Sequence, residues 1–282
     1  MTIGKGPARL AGAALVGLLL AGCDGGESVE RGNIDYEQFT AEQIFERGEY
    51  DLERRNPELA AQSFAEVERL YPYSALAKRA VIMQAFAHHQ DRAYEDSRAA
   101  AQRYIDFYPA DEDAAYAQYL LALSYYDQID EIGRDQELTF QALQALREVI
   151  ERYPESQYVN PARLKFDLAY DHLAAKEMEV GRYYLKRSHF TSAINRFRIV
   201  VEDFQTTTHT AEALHRLVEA YLSLGLTDEA RTAGAILGYN FRGTEWYEDS
   251  YKLLTGRGLT LEAVGDNWLR KVYRQTIKGR WL

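Results

Sequence analysis

The chain has 282 residues, a formal net charge of −10, six prolines and one cysteine. An acidic balance argues against a nucleic-acid binder, whose affinity comes from counterions released by a basic surface, and a lone cysteine excludes an internal disulfide. Abundant Ala, Leu, Glu, Arg and Tyr with few prolines favour helices over strands.

Lys5 and Arg9 precede an apolar run from Leu10 to Leu20, and Leu20-Ala21-Gly22-Cys23 follows directly. This is the pattern of a signal peptide over residues 1–22; spanning a bilayer takes about 20 apolar residues. A cysteine after small residues at this point resembles the bacterial lipobox, whose cysteine is lipidated and becomes the first residue of the cleaved chain. Cys23 is the expected lipid anchor, because Asp24-Gly25-Gly26 offers no core to bury a thiol. Anchoring by two or more acyl chains needs no transmembrane helix, and residues 23–39 read as a lipidated flexible tether. Enteric bacteria read Asp after the lipidated residue as an inner-membrane signal, so Asp24 keeps that leaflet open beside the expected periplasmic face of the outer membrane.

Residues 40–255 read as an array. Phe64-Ala65-Glu66-Val67-Glu68-Arg69-Leu70-Tyr71-Pro72 ends a helix with a Tyr-Pro stop that returns at Tyr108-Pro109 and Tyr153-Pro154. Proline cannot continue a helix, so each stop closes a unit. In the first unit Ile44, Phe45, Gly48 and Leu52 are spaced for one helix. Asn56-Pro57 starts the next, where small Ala60 lets the helices approach and Phe64 fills the space between repeats. The second unit starts near Ser74. The third starts near Asp111, an acidic first turn, and exceeds the roughly 34 residues of a tetratricopeptide repeat; its excess falls in the polar loop Asp127 to Gln136. After Asn160-Pro161 one long helical pattern leads into Phe190, Ala193, Phe197 and Val200. The fifth unit, with Leu214, Leu217, Val218, Tyr221, Gly225, Ala230 and Leu237, follows the tetratricopeptide pattern in order. The expected fold is all-α, an α-solenoid of five tetratricopeptide (TPR) helical hairpins.

Residues 256–282 read as a basic amphipathic extension, with Val264, Trp268, Leu269, Val272, Tyr273 and Ile277 on one stripe. A cap over the open end of the array and a helix for a membrane surface or acidic partner are both open.

No His-Glu-x-x-His pair, phosphate loop, dinucleotide fingerprint or Gly-x-Ser-x-Gly elbow occurs, so neither enzyme nor metal or other cofactor is expected beyond the lipid on Cys23. Binding remains. In such arrays the first helix of each hairpin lines the groove, which selects Phe45, Glu49, Ile82, Phe86, His89, Tyr116, Tyr119 and Tyr126. Their rings suit a peptide with an aromatic end; an aromatic stripe at helical spacing equally suits core packing.

With the lipobox, the five repeats, Arg182-Tyr183-Tyr184-Leu185-Lys186-Arg187, Ala193-Ile194-Asn195-Arg196, Glu245-Trp246-Tyr247 and Ser250-Tyr251 in view, the chain resembles the BamD (ComL) family, lipoproteins of the outer-membrane β-barrel assembly machinery. The resemblance covers nearly all of residues 20 to 255. It implies a non-catalytic periplasmic scaffold whose C-terminal repeats bind the core barrel subunit BamA and whose N-terminal repeats receive the aromatic ends of unfolded barrel proteins. Other lipoproteins of the complex are implied partners. It also implies a core-subunit contact at Arg196, for which an intrahelical pair with Glu202 or a neighbour is the plain alternative. A TPR lipoprotein coordinating peptidoglycan synthesis or cell division is the second functional expectation.

Overall fold

The computed structural model describes residues 35–265 and 267–277. Two compact units are distinguished, residues 1–38 and 39–282. Of the first, only its end is described, with a 3-10 turn at Tyr36–Gln38. Cys23 and the expected signal peptide lie outside the described residues.

The second unit is all helix among its described residues. In chain order the helices are α1 (Ala41–Glu53), α2 (Pro57–Leu70), α3 (Ala75–Gln90), α4 (Tyr94–Phe107), α5 (Ala114–Tyr126) and α6 (Glu137–Arg152). They continue with α7 (Val159–Lys186), α8 (Phe190–Asp203), α9 (Thr210–Ser223), α10 (Thr227–Asn240), α11 (Glu245–Thr255) and α12 (Trp268–Ile277). Each helix packs on the next from α1 through α11, and the first helices α1, α3, α5, α7 and α9 also touch in sequence. This is a TPR solenoid of five hairpins, α1/α2 to α9/α10.

Two local devices set its period. The first is an aromatic stop. Tyr71, Tyr108, Tyr153, Phe204 and Phe241 are the C-caps of the five second helices, each donating its backbone N–H four residues back. The carbonyl of each cap then accepts an N–H from Ser74, Asp111, Ser156, Thr207 or Thr244, turning the chain toward the next hairpin. The stop therefore persists at Phe204-Gln205 and Phe241-Arg242, where proline is absent.

The second device is a left-handed residue between the helices of a hairpin. Arg55 (φ 62°), Arg92 (φ 61°), Ser188 (φ 61°) and Gly225 (φ 74°) hold this place in four of the five. After each, an N–H reaches five residues back, as in Asn56 to Asp51, Ala93 to His88, His189 to Tyr184 and Leu226 to Tyr221. These are Schellman turns, which satisfy the last carbonyls of the first helix. The third hairpin departs from them through residues 127–136.

Several local expectations change in detail. Asn56 holds the cap position of α2 with Pro57 behind it, but its side chain makes no capping bond. Phe64 packs within its own hairpin, over Gly48 and edge-on to Phe45 with ring centroids 5.2 Å apart. α7 begins at Val159, so Pro161 falls inside its first turn. Asp111 lies before α5 and acts as a clamp: its carboxylate meets Lys78 Nζ at 2.5 Å and the Tyr104 hydroxyl at 2.7 Å.

α7 bridges the array. Its Ala162 belongs to the core formed with Ala122, Ala145, Leu146 and Val149, whereas Ala174 and Met178 belong to the core of the last two hairpins. Beyond α10, α11 packs on α9 and α10 and α12 packs on α10. The C-terminal helix is shorter than the stripe suggests, starting only at Trp268, and Leu269 and Val272 are buried against the last hairpins.

Candidate functional site

The eight groove candidates divide by burial. Phe45, 3% exposed, lies against Phe64, and Ile82, 4% exposed, lies with Tyr104, Ile105, Ala114 and Ala117. Both are core residues, a correction with a simple cause: the helical period fixes a face, but the angle between neighbouring helices decides which edge of that face is covered. Phe86 is half-buried over Ala85, Ala100, Ala101 and Leu120.

The remaining five reach the surface or its edge. Arg79 ties two candidates together, its guanidinium lying 4.9 Å over the Phe45 ring and donating to Glu49 at 2.9 Å. His89 Nε2 stands 3.1 Å from the Asp127 carboxylate, linking α3 to the end of α5, and its ring meets Tyr94 edge-on.

Tyr116 and Tyr119 both stack on Tyr158, with ring centroids 5.2 and 5.4 Å apart. Burial is the main cause that pushes the Tyr116 phenol up to about 12 and that of Tyr119 upward. Lys165 on α7 places its ammonium 4.4 Å over the Tyr126 ring. The structure thus joins Tyr116, Tyr119 and Tyr158 in one tyrosine stack. Sequence reasoning missed Tyr158, Arg79 and Lys165; the aromatic at Tyr158, just ahead of Asn160-Pro161, was the available signal.

Arg196 is on α8 with 40% of its side chain exposed, and it pairs across the hairpin with Glu177 of α7 at 3.0 Å. The intrahelical partner Glu202 belongs instead to Arg198, at 2.8 Å. One face of the Arg196 guanidinium therefore stays available while its direction is held from α7.

Charge also joins the fourth and fifth hairpins. Glu212 of α9 receives Arg182 of α7 at 2.8 and 2.5 Å and Arg216 at 3.2 Å. Burial alone would raise its pKa, but the two guanidiniums outweigh burial and hold the carboxylate below its ordinary range. Nearby, His215 is 4% exposed, with Nδ1 2.9 Å from Ser250 Oγ on α11 and its ring tilted against Trp246. Burial pushes its pKa down.

Among the described residues no group of three or more His, Cys, Asp or Glu is placed to hold a metal, and no helix is long and apolar enough to cross a membrane. What the surface offers is recognition: aromatic edges, half-exposed guanidiniums and amides on a rigid helical frame.

Comparison with known proteins gives this surface a context. The YfiO family, described as an outer membrane lipoprotein, matches residues 37–236. A Caulobacter vibrioides protein named outer membrane protein assembly factor BamD is 46% identical over 253 residues, 90% of this chain and 82% of that one. Its Rickettsia prowazekii namesake is 38% identical, covering 85% of this chain and 94% of that one. A Neisseria meningitidis serogroup A namesake is 27% identical, covering 80% of this chain and 88% of that one. The solved structure of PilW, a type IV pilus biogenesis factor, is similar at 12% identity with a TM-score of 0.34, over 75% of this chain and 98% of that one. The chain belongs to the YfiO/BamD family.

Proposed function

We propose that the chain is a non-catalytic assembly factor for outer-membrane β-barrel proteins, held at the periplasmic face of the outer membrane by lipid on Cys23 once residues 1–22 are removed. The observation that carries this role is the 46% identity over 90% of the chain to a protein named outer membrane protein assembly factor BamD. In this reading the C-terminal repeats hold a BamA-like core subunit, with Arg196 reaching a partner carboxylate from its exposed side. Unfolded barrel proteins meet the N-terminal repeats. The tyrosine stack and the Arg79 cluster support that second part, since both put aromatic or cationic groups at the edge of first helices.

The experiment is a gentle-detergent pull-down of the tagged full-length protein from its native membranes, with mass spectrometry of the retained proteins and with depletion in parallel. A large outer-membrane barrel retained in near-equal amount, together with loss of barrel proteins on depletion, is the expected result. Retention of wall-synthesis or division proteins with barrel levels unchanged would overturn it. Arg196→Glu is expected to reduce retention of the core subunit while the helical circular dichroism is unchanged.

A further inference from the structure

Between α4, α5 and α6 lies an open cleft of about 310 Å³, lined by Gln102, Gln118, Tyr125, Gln141, Gln144 and Glu148 among others. Gln118 is 2% exposed, and its amide has no hydrogen bond to any described residue. A buried amide normally has a partner. Here the amide lines the open cleft, where solvent or a bound group can meet it.

A counterpart of this cleft occurs two hairpins later, and there the chain fills it with its own C-terminal segment. Tyr108 and Phe204 cap α4 and α8, as Tyr153 and Phe241 cap α6 and α10. Counting from these caps puts Gln102 in register with Arg198, Gln118 with Leu214, Tyr125 with Tyr221 and Gln144 with Thr232. Trp268 occupies that second set: its indole N–H donates to the Tyr221 hydroxyl at 3.1 Å, and Arg198 lies 4.9 Å over its ring. It packs against the apolar cluster that contains Leu214. Ahead of it, Thr232 Oγ1 accepts the Val264 N–H at 3.1 Å and lies 3.0 Å from the Val264 carbonyl. The segment is gripped twice, by its backbone on α10 and by its indole over α8 and α9.

The earlier cleft keeps the tyrosine and changes the chemistry around it. Gln144 in the place of Thr232 carries a donor and an acceptor on one planar group, which suits both the N–H and the C=O of one extended residue. Gln118 in the place of Leu214 offers a polar contact at the floor. Gln102 in the place of Arg198 shifts the cation by a turn, to Arg98, whose guanidinium lies 4.6 Å over the Tyr125 ring, and Glu148 in the place of Ile236 adds a carboxylate.

We propose that the cleft between α4, α5 and α6 docks a segment of a partner protein that carries a tryptophan at the start of a short helix, seated as Val264 and Trp268 are seated between α8, α9 and α10. A basic residue beside the tryptophan meets Glu148. This site is separate from the first-helix groove candidates and does not depend on the assembly role.

The probe is a fluorescently labelled synthetic peptide copying Leu261 to Lys271, titrated into the full chain in detergent micelles and followed by anisotropy. Saturable binding is expected, at least tenfold weaker for the peptide with Trp268→Ala. It is also expected to be at least tenfold weaker for protein carrying Gln144→Trp, which plugs the cleft from an exposed position. Gln141→Trp, a turn earlier on the same wall, repeats the test should the first variant lose its helical signal. Absence of binding at millimolar protein, equal binding of the two peptides, or binding insensitive to both plugs would overturn the site. Loss confined to Tyr221→Phe would mean that the peptide only displaces the resident segment, and would overturn it too. Self-association of the chain that the peptide disrupts would assign the cleft to a second copy and overturn the choice of partner.

Discussion

Gly181 and Phe197 cross so closely that a Cβ added at Gly181 would stand 2.4 Å from the Phe197 ring. Gly48 and Phe64 repeat the relationship in the first hairpin, at 2.7 Å. The same register holds Ala85 with Ala101 and Ala122 with Leu146, all buried, so small residues on one helix meet equal or larger ones on the other. Alanine is favoured over glycine in a helix by about 1 kcal/mol, whereas overpacking a core costs about 1 to 3 kcal/mol. A contact this short makes the second effect win.

Gly181→Ala is therefore expected to destabilise the fold by up to about 2 kcal/mol net, read as a lower urea midpoint at constant slope. Adding Phe197→Leu should recover part of the loss. A midpoint that rises with Gly181→Ala alone would show that the ring moves freely aside.

The left-handed turn residues give the opposite sign. Arg92 has φ 61°, a conformation that costs a side-chain-bearing residue about 1 to 2 kcal/mol and glycine almost nothing. After the extra entropy of an unfolded glycine, Arg92→Gly should stabilise by about 0.5 to 1 kcal/mol. Gly225→Ala should destabilise by a similar amount. Thermal unfolding of both variants checks the pair, and equal signs would contradict it.

Asp111 makes stability depend on acid. Lys78 and Tyr104 hold its carboxyl at about 2, below the ordinary 3.8. A folded-state value below the unfolded one stabilises above the unfolded value and loses that contribution as the pH falls through the folded one. Between about pH 4 and pH 2 the wild type should lose more stability than Asp111→Asn. Parallel denaturation curves over that range for the two proteins would remove the clamp from the account.

His215 acts in a milder range. Burial keeps it neutral against Ser250 and Trp246, with Glu219 at 3.7 Å and Arg216, Glu212 and Asp249 also acting on it. Its folded-state value is depressed, so unfolding takes up a proton once the pH drops below the ordinary histidine value of about 6.5. Between pH 7 and 5 the contact of α11 with α9 should weaken, seen as faster amide exchange in Glu245–Thr255 after correction for the intrinsic rate. His215→Asn should flatten that pH dependence.

The pair of Arg196 with Glu177 is half-exposed, and such pairs contribute roughly 0 to 1 kcal/mol. Arg196→Ala is expected to leave the unfolding midpoint nearly unchanged. A large drop would mean that any lost co-purification reflects the fold rather than a contact.

The hairpins were legible because their signals are local. Tyr71-Pro72, Tyr108-Pro109 and Tyr153-Pro154 announce helix ends by chemistry that acts within a few residues, and the polar stretch from Asp127 to Gln136 announces the long connection. The groove register was not, because it depends on crossing angles. Phe45 and Tyr116 share a kind of spacing, yet Phe45 is capped by Phe64 and Arg79 while Tyr116 finds Tyr158 from a distant helix start. Arg196 and Arg198 show the same limit: the sequence places Glu202 near both, and only the packing of α7 on α8 gives Glu177 to Arg196. The C-terminal stripe overestimated the helix for a related reason, since Val264 satisfies its backbone on Thr232 rather than within a helical turn.

α7 has a mechanical consequence. At 1.5 Å per residue, its 28 residues make a rod about 42 Å long, set at one end in the core of the third hairpin and at the other in the core shared by the last two. A tilt of roughly 5° at the Val159 end carries the Lys186 end through about 4 Å. A molecule pressing on the tyrosine stack, which includes Tyr158 at the foot of this rod, would swing Arg182 and its grip on Glu212 like the far arm of a lever.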